Sequence, residues 1–212
     1  SVADRTVGAA HEGGGGVKSV AQILKESSNV GSVMIGLKLG ATHFDRWVRR
    51  FGFGQPTGVD LPGEEGGIVL RPEHYSGSSM GNMPIGQGIA VTPMQMATAY
   101  TAIANHGVMR RPYIVKGDQP PPRRVLSRKT AEQVSHMLEG VLGPGGTAQE
   151  ASVEGYTLAG KTGTAEKAIK GGYSKTDFIA SFIGFAPAKN PRLLVAVMVD
   201  TPRGDIYGGT VA

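Results

Sequence analysis

The 212 residues, 40% of them apolar, are enough for one domain with a sizeable core and argue against a chain disordered throughout. The absence of cysteine excludes disulfides, thiolate-bound zinc and thiol nucleophiles, so any covalent catalysis must use oxygen or nitrogen. Lysine and arginine exceed the acids by 22 − 17 = 5, an excess spread along the chain with few aromatics interleaved, which argues against nucleic-acid binding.

The longest apolar runs, such as 193–199, fall well short of the roughly 20 residues that cross a bilayer, and nothing resembles a signal peptide. The segment is therefore expected to carry no membrane span and to be soluble.

In chain order, Val17, Val20, Ala21 and Leu24 fall at i, i+3, i+4 and i+7, which predicts one apolar face of a helix ending near Ser27. A second helix is predicted over 30–39, closed by Gly40, and a third through Phe44, Trp47, Val48 and Phe51, closed by Gly52. Ser27-Ser28-Asn29 then sits in a break between helices. Thr92-Pro93 reads as an N-cap with proline at the first helical position, opening a helix over 94–105 that is apolar on nearly every side and so predicted to be buried on most faces. Pro120-Pro121-Pro122 is a stiff surface connector, and Ser127 caps a helix with Ala131, Val134, Leu138 and Val141 in one stripe. From there the pattern changes. Residues 156–164, 178–185 and 193–199 are short runs rich in β-branched and aromatic residues, predicting three antiparallel strands. Helices first and strands last predict an α+β fold, an antiparallel sheet flanked by a helical layer.

Several stretches could carry chemistry. Gly13-Gly14-Gly15-Gly16-Val17-Lys18-Ser19 looks like a phosphate loop, but Val17 stands where glycine must precede the lysine, and 3–6 makes a poor buried strand, so it reads as a loop before a helix. His11, His43, His74, His106 and His136 lack metal-ligand spacing, and no metal or other cofactor is expected. Lys161-Thr162-Gly163-Thr164 places a cation, two hydroxyls and an unobstructed backbone at the end of a predicted strand, which suits an anionic substrate lying alongside. Alone this triplet is weak evidence in a glycine-rich chain, and Ser27-Ser28-Asn29 alone reads equally well as a helix terminator, since all three residues favour turns. Together, in this order and these contexts, they match one active-site pattern.

That pattern resembles the transpeptidase domain of class B penicillin-binding proteins. Ser27-Ser28-Asn29-Val30-Gly31, residues 52–64, residues 86–93, Lys161 to Glu166 and Tyr207-Gly208-Gly209-Thr210-Val211-Ala212 all read like that family, in its order, from about Val17 to the last residue. The resemblance implies a transpeptidase fold like that of serine β-lactamases, with residues 1–212 forming part of that domain. It implies peptidoglycan cross-linking by serine acyl transfer on stem peptides ending in D-Ala-D-Ala, and acylation by β-lactams. Carried over by position, Ser27 relays a proton to the departing amine, Asn29 hydrogen-bonds the substrate amide, and Lys161 supplies positive potential beside Ser27. Thr162 and Thr164 bind the terminal carboxylate, Gly163 lets the substrate approach, and the Thr164 N–H forms half of an oxyanion hole. Strand alternation alone sends Lys161 and Thr162 to opposite faces, so their joint role comes from the resemblance. The parent protein is implied to be anchored in the cytoplasmic membrane with this domain outside, serving cell shape or division alongside elongation or division proteins.

One departure stands out. No serine is followed three positions later by lysine; Ser19 meets Gln22, Ser27 meets Val30, Ser32 meets Ile35 and Ser135 meets Leu138. In the family an S-x-x-K precedes S-x-N and further elements follow the Gly-Gly-Thr, so the segment is expected to be truncated at both ends and not to be acylated by itself. The alternative is a non-catalytic module that binds cell-wall peptides or a division partner. A related β-lactamase or sensor is disfavoured because residues 86–93 resemble the cell-wall enzymes and no deacylating glutamate can be assigned.

Overall fold

Local signals set the helices of the first half. In the computed structural model, which describes residues 16–117 and 119–212, Ser19 caps α1 (Val20–Lys25) reciprocally with Gln22, and Ser28 caps α2 (Asn29–Leu39) by accepting from the Gly31 N–H. Gly40 ends α2 at φ 79°, and α3 (Ala41–Arg50) runs on to Gly52 at φ 89°, both in the region glycine tolerates best. Residues 3–6 and 13–15 of the phosphate-loop reading, and His11, lie outside the described residues.

The predicted apolar face of the first helix is not a core face. Val17 lies ahead of α1, and Val17, Val20 and Ala21 are exposed; of the predicted face only Leu24 is half-buried, together with Ile23 beside it. Periodicity identified a helix here, but tertiary packing chose which side of it to cover. The apolar α2 likewise buries only Val33 and Gly36. Gly36 is there because a Cβ would come within 2.3 Å of the Pro84 ring.

Between α3 and the next long helix the chain is mostly loop, with short turns at Pro72–His74, α4 (Ser79–Asn82) and Met83–Ile85. It is tied down by side chains. Thr92 and Gln95 form the capping box of α5 (Pro93–Ala104), and the Gln95 amide also donates to the carbonyls of Gln55 at 2.8 Å and Gly66 at 2.7 Å. The Asp60 carboxylate accepts from the N–H groups of Ile114 and Val115 at 2.6 and 2.7 Å, and these two donors, Val115 foremost, hold its pKa below the usual carboxylate range. Only Pro93 on α5 is exposed, as its apolar pattern predicted.

A small ribbon of β1 (Val108–Met109) and β2 (Arg123–Arg124) leads into α6 (Arg128–Leu142), capped by Ser127. The main sheet has three antiparallel strands in the order β3 (Ala159–Ile169), β4 (Gly172–Ala186), β5 (Leu193–Asp200). The α6 stripe buries Leu138, Val141 and Leu142 against Ala159, Phe182 and Phe185 of the sheet, with Tyr100 and Ile103 of α5 at the margin. Phe185 is 2% exposed, and truncating such a ring leaves a cavity costing about 3–5 kcal/mol. The architecture is thus the α+β arrangement the element order predicted.

The strand limits differ from expectation. Residues 156–158 are outside β3, whereas β3 and β4 extend as a long hairpin through 165–177, closed by Lys170-Gly171 with Gly171 at φ 87°. The extension carries Glu166, Lys167, Lys175 and Asp177 and so lacks the apolar alternation that marks a half-buried strand; ladder bonds and a two-residue turn form it instead. Among the described residues no helix is long and apolar enough to cross a membrane.

Candidate active site

The site begins at the end of α1. The Ser28 N–H donates to the Ile23 carbonyl at 2.9 Å and the Ser27 N–H to the Leu24 carbonyl at 3.3 Å, a pair of bonds that closes a helix through one left-handed residue. That residue is Ser27, at φ 54°. A Cβ in this conformation costs roughly 1–2 kcal/mol. Asn29 does not lie in the break; it is the first residue of α2, half-buried, and its side-chain amide makes no hydrogen bond among the described residues.

Lys161 reaches Ser27 from β3. Its Nζ donates to Ser27 Oγ at 3.0 Å and to the Thr162 carbonyl at 3.1 Å, joining residues 134 apart in sequence. Burial pulls the ammonium down to about 8 from the ordinary 10.5, and among the described residues no carboxylate pairs with it. A partly desolvated cation without a counter-ion is prepared for an anionic ligand.

The threonines take other partners. Thr162 Oγ1 lies 2.7 Å from Thr147 Oγ1, and Thr164 Oγ1 accepts from the Gly208 N–H at 3.0 Å, at the start of α7 (Gly208–Val211). A hydroxyl has one proton to give. Thr164 therefore keeps its proton for a ligand, and the Thr147–Thr162 pair, having used one proton between them, keeps one more. Lys161 and Gly163 occupy alternate positions to Thr162 and Thr164, as strand geometry requires. Lys161 nonetheless bends its Nζ to the Thr162 carbonyl, which brings charge to the strand's backbone between the two sets.

Close approach explains the glycines. A Cβ on Gly163 would stand 2.6 Å from Ser181 Oγ, and one on Gly208 would stand 2.3 Å from the Gly163 carbonyl oxygen. A side chain at Gly208 would push α7 off the strands, and one at Gly163 would displace the Ser181 hydroxyl of β4. Among the described residues β3 pairs with β4 alone, so its outer edge offers unpaired backbone donors and acceptors.

A family model for the penicillin binding protein transpeptidase domain matches residues 2–212. The chain belongs to this transpeptidase family. Among the family's members it is 41% identical over 214 residues to stage V sporulation protein D of Bacillus subtilis, covering 94% of this chain and 33% of that protein. To peptidoglycan D,D-transpeptidase FtsI of Escherichia coli it is 36% identical over 192 residues, covering 90% of this chain and 33% of that protein. Penicillin-binding protein 3 of Mycobacterium tuberculosis, solved in complex with ampicillin, superposes with a TM-score of 0.88 at 38% identity, covering 95% of this chain and 49% of that one. The same protein complexed with aztreonam gives a TM-score of 0.87. This transpeptidase-family chain spans about a third of the length of its curated relatives.

Within the family fold, the residues singled out from sequence fall into two sets, Ser27 with Lys161 and Thr162 with Thr164, while Asn29 opens the helix next to Ser27. Thr147 was not singled out. It lies in a glycine-rich loop, and a hydroxyl pair formed across 15 residues leaves no local signature.

Proposed function

We propose that residues 1–212 form walls of the acyl-transfer site of a peptidoglycan D,D-transpeptidase, and that transpeptidation is an activity of the whole protein. What supports the reading most is the 3.0 Å contact that joins Lys161 to Ser27. On this reading a stem peptide adds to the free edge of β3 as an extended strand, with main-chain bonds supplying affinity. Its terminal carboxylate is drawn by the Lys161 charge and takes the spare hydroxyl protons of Thr164 and of the Thr147–Thr162 pair. The Asn29 amide serves the substrate's amide, and Gly163 keeps the strand open to it. Ser27, held in a strained conformation beside Lys161, passes a proton to the departing amine while the lysine's field stabilises the alkoxide character that develops on its oxygen. The Thr164 N–H supplies half of the oxyanion hole. A β-lactam takes the same place through its own carboxylate, as fits the ampicillin complex of the Mycobacterium tuberculosis relative.

The attacking serine is not among these residues, since no S-x-x-K occurs in the sequence. The whole protein, anchored in the cytoplasmic membrane with this domain outside and working beside elongation or division proteins, is proposed to provide it. Intact-mass measurement after incubation with ampicillin tests both parts. The whole protein gains one ampicillin and the 212-residue chain gains none; an adduct on the chain alone, or none on the whole protein, overturns the reading. Reversible peptide binding by a whole protein that forms no adduct would instead favour a non-catalytic peptide-binding module.

A further inference from the structure

The turn leading into α7 ends on a donor that touches the site. Arg203, Gly204, Asp205 and Tyr207 of this turn are exposed, whereas Gly208 is buried. The Gly208 N–H donates to Thr164 Oγ1 at 3.0 Å. Gly209 follows so close to the Thr147 carbonyl that a Cβ would strike its oxygen, with the Thr162 Cγ2 methyl 3.6 Å away. The first two residues of α7 therefore lie against both hydroxyl sets, Thr164 on one side and Thr147 with Thr162 on the other.

The direction of the Gly208 N–H is set by the two peptide planes around Tyr207, because each plane is rigid. The plane that carries this N–H has the Tyr207 carbonyl at its other end, and that carbonyl accepts from the Thr210 and Val211 N–H groups at 3.0 and 3.1 Å. The preceding plane ends in the Tyr207 N–H, which donates to Asp205 Oδ1 at 2.9 Å, a side chain closing a turn on its own backbone two residues on. This bond foremost, with Thr210 and Ile206 behind it, holds the Asp205 carboxyl below its ordinary value, so the acceptor is a carboxylate at neutral pH. Among the described residues it ion-pairs with no cation. Ahead of it stands Gly204 at φ 88°, a residue with little backbone preference of its own.

We infer that Asp205 is a positioning residue for carboxylate recognition by Thr164, fixing the Tyr207 peptide so that the Gly208 N–H fills one lone pair of Thr164 Oγ1. The inference rests on the reading of this site as one for acyl transfer. A hydroxyl has two lone pairs and one proton. With the Gly208 N–H on a lone pair, the proton is directed away from α7, and the exposure of Thr164 leaves it open to a ligand. Donation into the hydroxyl also strengthens the bond the hydroxyl itself gives. Asp205 touches neither the ligand nor the reacting atoms, so its loss weakens binding and spares the chemical step.

The test follows ampicillin acylation of the whole protein by intact mass across ampicillin concentrations. Asp205→Ala should raise the half-saturating concentration about fivefold, the loss of one oriented hydrogen bond, and leave the limiting rate unchanged. Asp205→Asn keeps an oxygen that can accept from Tyr207 and should restore the parent value. In a Thr164→Val background Asp205→Ala should have no further effect, because the hydroxyl it orients is gone. A parent that forms no adduct removes the acyl-transfer reading and this inference with it. If the parent is acylated, four results overturn the role of Asp205 alone: an alanine variant equal to the parent, a fall in its limiting rate, an asparagine variant as weak as alanine, or an alanine effect that persists without the Thr164 hydroxyl.

Discussion

The helices α1 and α3 end in the same way, with different residues at the decisive position. In α3 the Gly52 N–H donates to Arg49 and the Phe53 N–H to Val48, and Gly52 takes the left-handed conformation at φ 89°. In α1 the same bond pattern forms around Ser27 at φ 54°. Glycine at this position is unstrained, and serine is not. The difference teaches that strain at Ser27 is local, tolerated because the hydroxyl it carries is the one Lys161 reaches, whereas α3 has no such demand.

The largest effect should come from the other half of the contact. Lys161→Met is expected to lower ampicillin acylation of the whole protein by about 10³-fold or more, the scale for losing a charge aimed at the reacting centre, measured by the rate of adduct formation. Stability should move the opposite way with pH. Because the folded pKa, about 8, lies below the unfolded 10.5, the unfolded chain binds more protons between these values, so the parent gains stability as pH rises through that window. Lys161→Met lacks this gain, and denaturant unfolding should find its stability relative to the parent falling from pH 8 to 10.5. A constant difference would mean that Lys161 is not desolvated.

Ser27→Gly separates strain from chemistry. It should slow acylation about 10²-fold for want of the proposed proton relay, and it loses the hydrogen bond from Lys161 along with the strain. Strain is isolated by comparing it with Ser27→Ala, which also lacks the hydroxyl but keeps the Cβ and should be less stable than Ser27→Gly by about 0.5–1 kcal/mol; equal stability of the two variants would break the parallel with Gly52. Thr147→Val should have a smaller effect, about five- to tenfold on acylation, by leaving Thr162 without its hydroxyl partner, and Thr147→Ser should restore the rate. Last, Gly52→Ser imposes on α3 the strain that α1 bears. The nearest atom to a new Cβ is 3.8 Å away, so the expected loss of about 1 kcal/mol comes from backbone conformation alone, and acylation should be untouched.

What could be read from sequence follows the range of the forces involved. The caps at Thr92 and Ser127 and the stops at Gly40 and Gly52 are local, and they stand where predicted. The buried stripe of α6 was visible because it repeats with the helix, but the exposure of Val20 on α1 depends on which neighbour packs against it. The charged half of the β3–β4 hairpin carries no burial pattern to detect. The pairing of Ser27 with Lys161 came from resemblance to a family, since 134 intervening residues erase any local cue.

Gln95 joins parts of the chain whose order would otherwise be independent. Residues 55 and 66 have their carbonyls satisfied by an amide on the first turn of α5, and that same side chain completes the helix cap. The shape of the loop and the start of the helix therefore depend on one side chain. Gln95→Glu would keep the outline of the side chain while turning its donors into acceptors, setting a carboxylate against two carbonyls, so a change of one atom would release the loop and the helix start together.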